Sequence, residues 1–67
     1  MSEAELREFL QWACKTGAAI QFDTHNGWPT AHVFYGDDIH EAMGDSPEEA
    51  LAKAWKEVKQ ATEGAAI

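Results

Sequence analysis

The chain has 67 residues, 12 acidic and 5 basic, with a net charge of -7 when its three histidines are neutral, and this describes one small domain spanning residues 1–67. A domain of this size buries only about 60% of the surface its unfolded chain exposes, so a deep pocket beside the core, and with it a self-contained enzyme, is not expected. No run approaches the roughly 20 apolar residues that cross a bilayer, Met1–Glu5 lacks a basic stretch ahead of an apolar one, and the lone Cys14 permits no internal disulfide; the expected setting is the cytoplasm, without a membrane partner.

Ser2 followed three residues later by Glu5 is a capping box, and Leu6, Phe9, Leu10 and Ala13 then fall on one helical stripe that Gly17 closes. The spacing predicts a helix over about 3–16. From Ala18 the period becomes two, and Asn26-Gly27 supplies the residues of a type I′ hairpin turn. This turn opposes His25 to Trp28, Phe22 to Ala31, Ile20 to Val33 and Ala18 to Tyr35. One face is then apolar, and the other carries Gln21, Asp23, Thr30, His32 and Phe34, with Pro29 tolerable near a strand end. Gly36-Asp37-Asp38 turns the chain into a short third strand over Ile39–Met43, whose facing stays open because two- and three-residue loops give opposite registers. Ser46 as cap, Pro47 at the first helical position and Glu49 as the answering carboxylate start a second helix. Its stripe is Leu51, Ala54, Trp55 and Val58, and Gly64 is its expected end. The expected fold class is α+β in the order α-β-β-β-α, a three-stranded antiparallel meander with both helices packed on one face.

That order is similar to double-stranded RNA-binding domains, whose second helix begins with phosphate-gripping lysines; here the matching start reads Pro47-Glu48-Glu49 after Asp45, which repels phosphate, so no direct nucleic-acid binding is expected. Residues 18–60, with three short strands running into Gly44-Asp45-Ser46-Pro47-Glu48-Glu49-Ala50-Leu51, resemble the β-β-β-α core of HicB-type antitoxins. That likeness implies a small toxin as partner. In size, acidity and absence of catalytic motifs the chain also resembles the small phage-encoded inhibitors of the anti-CRISPR, DNA-mimic kind.

The charge is unevenly placed. Residues 1–15 and 53–67 nearly balance, whereas residues 16–52 hold Asp23, Asp37, Asp38, Glu41, Asp45, Glu48 and Glu49 and no Lys or Arg. Capping and turn formation account for Asp45, Glu48, Glu49 and the Asp37-Asp38 pair, but they do not account for the missing bases. A run of carboxylates over 37–49 attracts a protein that normally holds a phosphate backbone, a CRISPR effector subunit being one example. Asp37, Asp38, Glu41, Asp45, Glu48, Glu49 and Asp23 are therefore the candidate partner-binding acids. Trp28 and Phe34, off the core stripes, are the candidate apolar anchors. Reversal of Asp37, Asp38, Glu48 and Glu49 to Lys is expected to abolish such binding and leave the fold intact.

Phe9, Phe22 and Trp55 lie on core stripes and Tyr35 joins them, while Trp12 is placed either at the core edge or in a contact. His25, His32 and His40 show neither His-x-His nor a helical i, i+4 pair, so no metal site is expected, and no cofactor. Cys14 beside the apolar stripe reads as a partly buried thiol and not a nucleophile. The expected protein is a monomer or dimer that does no chemistry and binds another protein.

Overall fold

The computed structural model describes residues 1–65, with the side chains of residues 1–62. Its elements are α1 (Glu3–Thr16), β1 (Ala19–His25), β2 (Trp28–Tyr35), β3 (Asp38–Met43) and α2 (Pro47–Ala65), with the strands in spatial order β1-β2-β3 and both neighbouring pairs antiparallel. This is the expected α+β meander.

Each helix begins at a serine. Ser2 is extended and its hydroxyl oxygen accepts the Glu5 N–H at 3.1 Å, while Gly17 closes α1 at φ 77°. Ser46 accepts the Glu49 N–H at 3.1 Å, but the answering carboxylate reaches one residue further than a standard capping box, taking the N–H of Asp45 at 3.3 Å. The other oxygen of Glu49 lies 3.2 Å from Lys53 Nζ. The bond from Lys53, and after it the bond from the Asp45 N–H, lower the Glu49 pKa below its ordinary value. A carboxylate held below its unfolded pKa stabilises the fold while ionised, and that contribution is lost as pH falls through the folded pKa. Glu49→Gln is accordingly expected to lose less stability than the parent on acidification, measured by urea melts on either side of the ordinary glutamate pKa; parallel losses would refute this role. At its other end α2 passes through Gly64 to Ala65 instead of stopping at the glycine.

Asn26 at φ 55° and Gly27 at φ 83° are both left-handed, as a type I′ turn demands, and they set the predicted register of Ile20 on Val33, Phe22 on Ala31 and His25 on Trp28. The second turn has two residues, Gly36 and Asp37, with positive φ at the glycine alone, so that Tyr35 faces Asp38 and β3 starts one residue earlier than predicted. This settles the open register. Ala42 lies opposite Ala31 and His40 opposite Val33 on the helix side, and Ile39, Glu41 and Met43 point to the other face.

The core joins Phe9 of α1, Ala31 and Val33 of β2, and Ala50, Leu51, Ala54, Trp55 and Val58 of α2. Both helices thus cover one face of the sheet, with α2 lying across β2 and β3. Ala31, Ala50 and Ala54, all fully buried, make a seam of small side chains along which helix and sheet approach closely.

Four expectations about burial change. Leu10 is half-exposed, because α1 is rotated to bring Trp12 inward, where its ring meets Tyr35 at 5.1 Å, Trp55 at 5.4 Å and Phe9 at 6.0 Å. An indole offers more apolar area to bury than a leucine does. The same rotation leaves Cys14 on the exposed flank of α1. Phe22 points to the helix side yet is 51% exposed, since the helical layer is centred on β2 and β3 and leaves the middle of β1 uncovered. Tyr35 meets Trp12 at the end of the core and keeps about a third of its surface in water.

Candidate functional site: the open sheet face

With both helices on one side, the other side of the sheet is left to solvent. From the hairpin turn to the far end, it presents His25 beside Trp28, then Asp23, Thr30 and Met43, then Gln21, His32 and Glu41, then Ala19, Phe34 and Ile39. Trp28 is 53% exposed, Met43 49% and Ile39 62%, and Phe34 also stands clear of the core. This exposed apolar surface makes the face the candidate contact surface.

Trp28 joins Phe34 on this face, but they stand six residue steps apart along β2, about 20 Å at strand rise. They form two separate apolar patches and not one. Each has an apolar neighbour from β3, Met43 near Trp28 and Ile39 opposite Phe34. The sequence reading missed both neighbours. A two-residue loop at Gly36-Asp37 was the signal that places them, because it alone turns the odd-numbered residues of β3 outward.

Between the anchors lies a hollow of about 180 Å³ with Asp23, His25, Thr30, His32, Glu41 and Met43 in its lining. Thr30 is 3% exposed and its hydroxyl donates to the Trp28 carbonyl at 3.2 Å. His32 stacks on Phe34 with ring centroids 6.3 Å apart, and its Nδ1 sits 3.3 Å from a Glu41 carboxylate oxygen. His40, opposite Val33, belongs to the helix side and does not join His32. Among the described residues no three His, Cys, Asp or Glu side chains are grouped so as to hold a metal ion.

The acids predicted to act together are strung along β3 and do not form a tight cluster. Asp37 and Asp38 stand at one end, Glu41 midway, and Asp45, Glu48 and Glu49 at the other, where Gly44 donates its N–H to the Pro29 carbonyl at 3.1 Å. Asp23 lies across the sheet on β1. Some of these charges are engaged: Glu49 by Lys53, Glu41 by His32, and Glu48 at 3.9 Å from the Met1 amine. The Asp37, Asp38 and Asp45 carboxylates have no ion-pair partner among the described residues. All five cations of the chain are on α1 and α2, so the sheet and its turns carry acids alone.

The helix side has a groove of its own, about 430 Å³, with Trp55, Lys53, Lys56, Lys59 and Glu49 in its lining. Lys59 stands 5.6 Å from the centroid of the Trp55 ring, and the buried indole N–H has no acceptor among the described residues. Compared with models of protein families, with curated proteins and with solved structures, the chain matches none.

Proposed function

We propose that this chain is a small acidic inhibitor that binds a basic nucleic-acid-handling protein through the open sheet face and the β3 row of carboxylates, blocking its nucleic-acid site by charge mimicry as anti-CRISPR proteins of the DNA-mimic kind do. The observation that carries the reading is the separation of acids from cations by element: the strands and their turns hold Asp23, Asp37, Asp38, Glu41 and Asp45 and not one lysine or arginine, while all five cations lie on α1 and α2. From Asp37 to Asp45 the acids are spread along the length of β3, about 20 Å. Attraction of that range steers encounter and weakens with salt. The hollow between Asp23 and Glu41 suits a lysine or arginine side chain of the partner, and Trp28 with Met43 and Phe34 with Ile39 supply short-range contact on either side.

Glu48 and Glu49 are poor choices for the decisive variant, because Glu49 holds the α2 cap and the Lys53 pair. Reversal of Asp37, Asp38 and Asp45 to Lys touches only carboxylates without ion-pair partners. The test is a pull-down of the tagged protein from nuclease-treated bacterial lysate, washed first at low and then at high salt. The expected result is a nucleic-acid-binding protein released by salt or by added duplex DNA, and not retained by the triple variant at all. Retention by that variant at parental strength would sink the mimic.

A second reading has its own support in Ile39, Met43 and Trp28, whose exposed apolar surface also suits a HicB-like antitoxin or adaptor gripping a small toxin. The same washes separate the two, since a mainly apolar interface is nearly indifferent to salt.

A further inference from the structure

We propose that the free edge of β1 pairs with β1 of a second copy of this chain, joining two three-stranded sheets into one of six strands. In a hairpin closed by two residues, the flanking pair His25–Trp28 exchanges backbone hydrogen bonds, and so does every second pair after it: Asp23–Thr30, Gln21–His32 and Ala19–Phe34. The remaining β1 residues, Ile20, Phe22 and Thr24, therefore turn their N–H and C=O groups away from β2. The Thr24 N–H is taken by the carboxylate of its own neighbour Asp23 at 2.8 Å. Ile20 and Phe22 are left with a bare edge, and of the usual protections β1 has only the charge of Asp23, with no proline, no lysine and no bulge.

One register uses those two residues and no others. With a two-fold axis at Gln21, Ile20 of each copy faces Phe22 of the other, and each such pair exchanges two backbone bonds. Opposed residues share a face, so Phe22, 51% exposed on the helix side, gains Ile20 of the second copy as its missing cover. Asp23, the only acidic residue of β1, then lies opposite Ala19, and no like charges meet. The β3 edge offers no equivalent. Glu41 lies at its middle with Asp37, Asp38 and Asp45 at its ends, so pairing two β3 edges brings carboxylates together. Pairing β1 with β3 is head-to-tail and leaves a free edge on each copy, so it leads to a ring or a filament instead of a closed pair. The proposal concerns the chain alone and stands whether or not the partner proposed above is found.

Light scattering on the purified chain is expected to give the mass of two copies, and Phe22→Lys the mass of one with an unchanged circular dichroism spectrum. Because Cys14 is exposed, cross-linking is read in a Cys14→Ser background. There Gln21→Cys places its two thiols on a non-hydrogen-bonded pair with Cα atoms about 4.5 Å apart, within disulfide reach. Mild oxidation should link it at least about tenfold faster than Ala19→Cys or Ile39→Cys, as expected for reacting groups already held in place. A single-copy mass at every concentration overturns the proposal, and so does Ile39→Cys linking as fast as Gln21→Cys.

Discussion

Phe9→Ala is expected to cost about 3–5 kcal/mol and to leave much of the chain unfolded at 37 °C. Phe9 has no exposed surface, and its ring stacks on Trp55 at 4.6 Å with an interplanar angle of 14° while also meeting Trp12. It is the one fully buried large side chain that α1 contributes to the core cluster, so its loss both opens a cavity and detaches α1 from α2. Domains are stable by about 0.05–0.15 kcal/mol per residue, or about 3–10 kcal/mol for this one, so a single truncation here consumes most of the total. Leu10→Ala, one residue along and half-exposed, should cost about 1 kcal/mol or less. Urea melts followed by circular dichroism check both, and equal losses at the two positions would mean that α1 presents a different face to the core.

Gly44→Ala is the second large effect. A Cβ built on Gly44 stands 2.7 Å from the Ala50 backbone nitrogen, 2.9 Å from Glu49 Cβ and 3.0 Å from the Glu49 carbonyl carbon. Two of those three atoms are backbone in the first turn of α2, so relief requires moving the helix against the sheet. Overpacking of this kind costs about 1–3 kcal/mol. The shift also strains the bond from the Gly44 N–H to the Pro29 carbonyl, which ties the entry of α2 to the hairpin end of the sheet. Gly36→Ala, which meets no atom within 4 Å but must hold a φ of 60°, separates sterics from backbone freedom: its strain stays local to the turn. Two-dimensional NMR of the Gly44 variant should show shift changes concentrated in residues 28–31 and 44–51. An unchanged melt and spectrum would refute the close approach.

In a chain of this charge the site arises from what the helices leave uncovered. Ile39 and Met43, the most apolar residues of β3, face water, while Asp38, His40 and Ala42 take the helix side. Apolar pattern alone favours the reverse, since it puts the larger side chains under α2. The observed register is the one a two-residue turn at Gly36-Asp37 permits, and it lays Ala42 opposite Ala31, under a helix whose own contacts are Ala50 and Ala54. Bulky residues there would hold α2 off the sheet.

What this sequence determined by itself is what neighbours along the chain decide. Ser2 and Ser46 fix two helix starts, Asn26-Gly27 fixes a hairpin with its register, and the alternation from Ala18 to Tyr35 sorts two strands into faces. The placement of Asp23 and Phe34 on the open face followed from these alone. Only the tertiary structure decided the facing of β3, the inward turn of Trp12 in place of Leu10, the exposure of Phe22 and the spreading of the acids along β3. The physical reason is one of range: caps and two-residue turns are satisfied by atoms a few positions away, whereas burial is settled by how closely a distant helix settles on the sheet, and here four alanines, contributed by three different elements, set that distance.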